Sequence, residues 1–266
     1  MIILIPMGGK GSRFSDAGYS LNKACLKTYD RHTGQSLPMV ICAMKDIPDI
    51  YNAGNHIICI DRELHQENGT EALILEEFSN TTFIHDHTLL DQAYGCFLAK
   101  DFLDSEEELF IGTCDSGMEI DFESFQDLKK TSDAIMISHT NDQNISHNPE
   151  AHSWAKLQPN GKDIDFISIK KTVSDQPMED HATTGIFWFK HAQIFLGYLE
   201  LMIENQDTFD GKYYVDKILQ YYLDDQKIVN FQDVKFICWG TPYDYENYQK
   251  SYAYWQEFIA NEPWLE

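Results

Sequence analysis

The sequence predicts an α/β layered fold, and three observations carry that prediction. Short apolar runs of strand length alternate with longer amphipathic stretches along the chain. The first run, Met1 to Pro6, stops in a glycine-rich turn, Gly8-Gly9-Lys10-Gly11. Another, Leu109 to Thr113, ends in an aspartate and turns at Gly117. Strand ends of this kind are where open α/β sheets bind ligands.

Taken in order, the apolar runs predict strands over 2–7, 56–60, 82–84, 108–113, 134–139, 164–169, 184–189 and 235–239. The amphipathic stretches predict helices over 38–45, 71–78, 89–99, 122–131, 192–204, 214–224 and about 243–259. Thr241-Pro242 gives the last helix a capping residue and a proline start. The polar stretch 140–152 reads as a loop. No internal repeat, low-complexity segment or linker divides the chain, so residues 1–266 are expected to form a single domain.

Charge narrows the function classes. The chain carries 43 acidic and 20 basic residues, a net charge of -23. That balance repels nucleic-acid backbones and anionic membranes, while leaving room for a small phosphorylated substrate in a local basic pocket. No apolar run approaches the length of a membrane span. The six cysteines are scattered without C-x-x-C spacing, as in a reducing compartment. The first strand starts at Met1 with no charged leader before it, so a cytoplasmic protein is expected.

Four elements could carry chemistry. At the opening turn, glycines let backbone N–H groups approach phosphate oxygens, and Arg13 and Lys23 can neutralise a triphosphate. The G-x-G-x-x-G fingerprint and the Walker spacing are both absent; a plain structural turn with two surface cations stays open. Asp115 offers a hard oxygen for Mg²⁺, or simply caps the next element. Lys170-Lys171 ends a strand and is either a phosphate site or a solvated pair; Thr184-Gly185 can bring backbone close to a ligand. Cys238-Trp239-Gly240-Thr241-Pro242-Tyr243-Asp244 is a strand, a turn and a helix start.

In this order the elements resemble the nucleotidyltransferases that activate sugar phosphates and related phosphorylated small molecules. Gly9, Gly11, Ser12, Arg13 and Lys23 fall on that family's G-x-G-[ST]-R-[FL]…P-K signature. Ala182-Thr183-Thr184-Gly185-Ile186-Phe187-Trp188-Phe189 and the late G-T-P-x-D stretch resemble its capsule and surface-polysaccharide branch. The likeness runs from Ile2 to about Tyr248.

The resemblance implies a Rossmann-like mixed sheet flanked by helices, of the glycosyltransferase A type. It implies a nucleotide-binding half over about 1–120 and an acceptor-binding half over about 121–266. The implied reaction joins an NTP to a phosphorylated acceptor with release of pyrophosphate, using Mg²⁺. Arg13 and Lys23 would be catalytic, with Met7, Gly8, Gly9, Gly11, Ser12 and Gln92 at the nucleotide. Lys171, Thr184 and Gly185 would bind the acceptor, and Asp115 and Asp244 the metal.

The chain departs from the family pattern in four places. Asn22 replaces the proline before Lys23, which is expected to loosen the turn. Asp91 stands in the base-contact motif, where a carboxylate is expected to alter base choice; Lys170 replaces the glutamate of an E-K pair; and Cys238 replaces a second metal-binding aspartate, for which Asp244 or Asp216 could substitute. These departures motivate an alternative, a non-catalytic nucleotide- or sugar-phosphate-binding protein. A metal-dependent glycosyltransferase ranks below both, since Asp115-Ser116-Gly117 lacks the second aspartate of D-x-D.

His85-Asp86-His87 suggests a metal site, but neighbouring strand residues face opposite ways and no further ligand is evident, so a zinc role is disfavoured. The C-terminal aromatic run from Tyr243 to Trp264 predicts core packing or a dimer contact, and through the latter a homo-oligomer.

Overall fold

The opening run forms strand β1 (Ile2–Pro6), whose side chains alternate between two cores. Ile2 and Leu4 pack beneath helices Gln92–Phe97, Ala192–Glu204 and Val215–Asp224, through Cys96, Phe195, Leu199, Ile218 and Tyr222. Ile3 and Ile5 pack the other way, against Val40, Met44, Ile74 and Phe125. These belong to helices Met39–Lys45, Thr70–Glu77 and Phe122–Lys129. A strand apolar on both faces has to lie in a sheet covered on both sides, and this one does.

The computed structural model describes residues 1–88 and 91–261. After β1 come β2 (Lys27–Tyr29), β3 (Ser36–Pro38), β4 (His56–Asp61), β5 (Thr81–His85), β6 (Leu109–Ile111) and β7 (Ser116–Glu119). They are followed by β8 (Ala134–His139), β9 (Trp154–Leu157), β10 (Ile164–Ser168), β11 (His181–Phe189), β12 (Val229–Asp233) and β13 (Lys235–Cys238). The main sheet runs β10-β9-β11-β6-β1-β4-β5, with β8 joined to β11 and β12. Its centre is parallel: β1 pairs with β4 on one side and β6 on the other, and β4 with β5. The later strand β11 lies antiparallel to β6 and β8. The architecture is a mixed α/β sheet flanked by helices, as the sequence predicts.

Strand order reverses at β1, so a crevice opens beyond its C-terminal end, between the ends of β4 and β6. Gly112 sharpens that edge. Its N–H donates to the Leu4 carbonyl at 2.9 Å, and a Cβ there would lie 2.8 Å from the Ile5 Cδ1. The chain hugs β1 at this point, leaves the ladder through Thr113-Cys114-Asp115, and starts β7. One strand expected over 108–113 is therefore the shorter β6.

Five strands are not foreshadowed by apolar runs: β2, β3, β7, β9 and β12. They are short or polar, and partners fix them: β12 pairs with β8, and β7 with β13. The stretch 140–152 is not a plain loop. The Asp142 carboxylate accepts from the Asn144 N–H at 2.8 Å and caps helix Gln143–His147, and Pro149 starts a 3-10 turn. The helix expected over 89–99 is observed as Gln92–Phe97, and Leu89 and Leu90 lie outside the described residues. In the last helix, Pro242–Asn261, Tyr245 and Tyr248 pack on Phe14 and Trp239. Tyr254 and Trp255 are exposed, and Trp264 lies outside the described residues. None of the helices described is long and apolar enough to cross a membrane.

His139, at the end of β8, is buried against Phe236 and His152, with ring centroids 4.5 Å and 5.1 Å away. Neither ring nitrogen has a partner among the described residues. Burial pushes its pKa down to about 3; the His152 ring acts the same way, and Asp233 opposes them. The unfolded chain takes up this proton near 6.5 and the folded chain resists it, so stability falls as pH drops from 6.5 toward 3. Thermal melts across this range are expected to show that loss, and His139→Leu to flatten it.

Candidate functional site

The crevice is assembled from strand ends. Beyond β1 the chain turns through Gly8 and Gly9. A Cβ on Gly8 would press to 3.1 Å on the Cβ of Asp86 and 3.3 Å on the Asp61 carbonyl, so a larger residue would crowd the turn. Gly9 faces open space instead. Gly11 has a φ of +65° and leads into the short helix Ser12–Asp16, which carries Arg13.

Asn22 holds the turn to the next element. Its Nδ2 donates to the Gly9 carbonyl at 2.9 Å, while its Oδ1 accepts from the Ala24 N–H at 3.1 Å. The residue expected to loosen the turn thus cross-links it. It also starts the 3-10 turn Lys23–Cys25 and so aims Lys23 inward.

Lys23 Nζ meets Asp115 Oδ2 at 2.5 Å, joining the first turn to the loop after β6. Each side chain is only 19% exposed, so this pair is shielded from water. Burial acts most strongly and lowers the Lys23 pKa, but the Asp115 charge and hydrogen bond together with Cys114 outweigh it and the net shift is upward. For Asp115, burial acts upward, and Lys23, aided by Arg13, carries its carboxyl below the usual range. Both groups are charged at neutral pH.

The β13–β7 ladder brings the late motif to the same place. Its register sets Cys238 opposite Ser116, and the Trp239 N–H donates to the Asp115 carbonyl at 2.9 Å. Asp244 sits on the far side of Cys238. Its Oδ2 accepts from Thr241 Oγ1 at 2.5 Å and lies 3.6 Å from the Cys238 thiol. Burial, with Asp244 and Asp115 nearby, pushes that thiol up, so it stays protonated.

Two chambers open on this framework. The first, about 290 Å³, is lined by Gly8, Gly9, Lys23, Gln92, Gly95 and Asp115 among others. The second, about 350 Å³, takes in Arg13, Lys170, Tyr214, Asp216, Cys238 and Asp244. Asp91, Gln92, Asp115, Thr184 and Gly185 line both and form the junction. There, Gln92 Nε2 donates to the Gly185 carbonyl at 3.3 Å. A bulge in β11 between Thr183 and Ile186 turns Gly185 to a φ of +82°, and Thr184 Oγ1 anchors it on the Ile137 carbonyl at 2.9 Å.

Most residues singled out in the sequence converge here, but four do not line either chamber. The Met7 side chain is buried in the core behind the turn. Gly11 shapes the turn and Ser12 is exposed beside it. Lys171 is also exposed, and Lys170 occupies the second chamber in its place. Lys170 has a φ of +55°; its ammonium donates to the Ala151 carbonyl and lies 5.2 Å from the Tyr214 ring centroid. Burial depresses the Lys170 pKa, and Asp216 opposes that shift.

The Asp91 carboxylate is committed to structure. It accepts from the Tyr94 N–H at 3.2 Å as a helix cap and from the Tyr213 N–H at 2.8 Å. Asp216, by contrast, is 5% exposed and its Oδ1 has no hydrogen-bond partner among the described residues. Tyr213, Tyr214 and His152 join this chamber with no local signal in the sequence.

No family model matches the sequence, and no curated protein matches it either. Solved structures match its fold. A nucleoside-diphosphate-sugar pyrophosphorylase from Vibrio cholerae superposes with a TM-score of 0.73 at 19% identity, covering 93% of this chain and 99% of that one. A Bacillus anthracis protein assigned as a glucose-1-phosphate thymidylyltransferase, in complex with sucrose, gives 0.70 at 20% identity, covering 95% of each chain. The inositol-1-phosphate CTP transferase from T. maritima gives 0.64 at 16% identity, covering 91% and 90%.

The chain has the nucleotidyltransferase fold. Within that fold, the crevice described above is what its own residues build at the switch point of the sheet.

Removing one partner of the shielded pair leaves the other charge stranded. Lys23→Met is therefore expected to destabilise the fold by roughly 3 kcal/mol in chemical denaturation. Adding Asp115→Asn to that variant is expected to recover part of the loss, giving a non-additive double-mutant cycle.

Proposed function

We propose that this chain is a nucleotidyltransferase that joins an NTP to a sugar phosphate, or a similar phosphorylated small molecule, and releases pyrophosphate. One observation carries the reading: the Lys23–Asp115 pair stands where a chamber under a glycine turn meets a second, aromatic and polar chamber. Solved structures of the same fold include proteins described as pyrophosphorylases and nucleotidyltransferases. We assign the product to surface-polysaccharide synthesis in the cytoplasm, on the resemblance of the opening and β11 motifs to that branch.

In this reading the nucleotide lies along Gly8 and Gly9, where backbone is accessible, with Gln92 near its base. The acceptor occupies the second chamber. Its phosphate oxygen attacks the α-phosphorus, a P–O bond forms, and the bond to the pyrophosphate oxygen breaks. Two polyanions must be held in line while charge moves to the leaving group, so fixed cations at the junction lower the barrier. Lys23 serves there at any physiological pH because its proton is held tightly. Arg13 neutralises phosphate from the exposed side, and Lys170 faces the acceptor.

Asp115 and Asp244 present carboxylate oxygens to one chamber, and a Cβ on Gly240 would come within 3.1 Å of Asp115 Oδ2, so glycine keeps that approach clear. Such hard donors fit Mg²⁺, which takes one or two carboxylates together with substrate phosphates. Asp115 and Asp244 would hold it, with Asp216 as a further carboxylate of the same chamber; bound there, the ion would offset phosphate charge. Asp216 lines the same chamber, and a carboxylate there suits a hydroxyl donor, which favours a polyol or sugar acceptor.

The test is pyrophosphate release from ATP, CTP, GTP, UTP and dTTP, each with Mg²⁺ and a panel of hexose 1-phosphates, heptose phosphates and phosphocholine. At least one pair is expected to turn over, and Arg13→Ala to lower that rate tenfold or more. Nucleotide binding without turnover across the panel would instead establish a binding protein that kept the fold.

A further inference from the structure

A second cluster of ionisable groups lies behind the glycine turn, on the far side of β4 from the chambers. In the parallel β4–β5 ladder Asp61 pairs in register with His85, so the two side chains share a face. Ile60, one residue earlier, faces the first chamber, and Asp61 points the opposite way. Helix Thr70–Glu77 covers this side: Ile74 packs in the core there, and Glu71, one turn earlier, extends over the strand ends. His85 Nε2 lies 2.9 Å from Glu71 Oε1 and 3.6 Å from Asp61 Oδ1. One ligand atom from each of the three residues lies within 4.8 Å of the others.

Two further facts separate this cluster from an ordinary patch of acid. Asp61 is fully buried, and neither of its carboxylate oxygens has a hydrogen-bond partner among the described residues. A carboxylate so placed is strongly disfavoured unless a cation or a proton meets it. Among the described residues no lysine or arginine pairs with it, and its base contacts are with His85 and His65. His65 is the other nearby base, 4.0 Å away through Nδ1, but that nitrogen already accepts from the Arg62 N–H at 3.0 Å. The second fact is spacing. Zinc binds nitrogen and oxygen at about 2.0–2.2 Å, which sets tetrahedral donors about 3.3 Å apart. The His85 contacts of 2.9 Å and 3.6 Å bracket that separation.

We propose that Asp61, Glu71 and His85 form a site for a divalent transition-metal ion, zinc by preference. An imidazole with two carboxylates selects zinc, cobalt or manganese over magnesium and calcium. Three protein donors leave a position for water, and His85 is 26% exposed, so solvent can enter from its side. The ion would fasten the ends of β4 and β5 beneath the glycine turn. The Asp61 carbonyl already accepts from the Asp86 N–H at 2.6 Å and stands close under Gly8, so the ligand strand is the floor of that turn. The site is separate from Asp115 and Asp244 and does not depend on the activity proposed above.

The full chain without an affinity tag, stripped with chelator, is titrated with Co²⁺ and followed by visible absorption. One equivalent is expected to develop the intense d–d bands of a four- or five-coordinate ion without a thiolate charge-transfer band, and Zn²⁺ to displace it. Asp61→Asn and His85→Gln are expected to weaken binding at least tenfold, while Asp244→Asn leaves the bands in place. An absence of these bands in the parent chain overturns the site, as does their persistence in both variants; Asp61 and Glu71 then share a proton instead. Where the variants do not fold, X-ray absorption of the zinc-loaded parent decides. An inner shell of one imidazole and oxygens supports the assignment, and a sulfur shell overturns it.

Discussion

The ion pair between Lys23 and Asp115 is the constraint around which the crevice is organised. It joins residues 92 positions apart and holds the first turn of the chain to the loop that leaves β6. Neither charge is tolerable alone in so shielded a place, and each fixes the ionisation of the other. The surrounding structure serves this contact from both sides. Asn22 ties the lysine's turn to Gly9, and the β13–β7 ladder delivers Trp239 to the backbone of Asp115. A pair held that firmly keeps its charges in place without reorganisation of the surrounding groups.

The departures from the family pattern look different once placed. Asp91 is a helix cap that also accepts from Tyr213, so its carboxylate is already used in positioning the junction. Cys238 is a protonated thiol between two carboxylates. Lys170 lies in the second chamber, while Lys171 stays outside it. These substitutions change the second chamber more than the first. Variation there reshapes the second chamber while leaving the glycine turn and the Lys23–Asp115 pair intact.

Much of the fold was legible because burial on two faces leaves a continuous apolar run. β1, β4, β6, β8 and most of β11 are such strands, and they form the heart of the sheet. β2, β3, β7, β9 and β12 were not, since a short polar strand exists only when a partner supplies its hydrogen bonds. The capped turns of 143–151 were hidden for a related reason: Asp142 and Pro149 are common in loops as well as at helix starts.

By itself, the sequence determined the alternation of layers, the glycine turn, the acidic strand end and the cations beside them. These are local features, set by backbone freedom and by the cost of exposing apolar side chains. Only the tertiary structure decided which charges meet. It turned Lys170 inward and Lys171 outward by one residue of left-handed backbone, and it left the Asp216 Oδ1 beside the second chamber with no hydrogen-bond partner among the described residues. It also gave His85 the partners that its own neighbours could not supply, since Asp61 and Glu71 arrive from a parallel strand and a covering helix. Register and packing bring together residues far apart in the chain, and no spacing along the sequence encodes that distance.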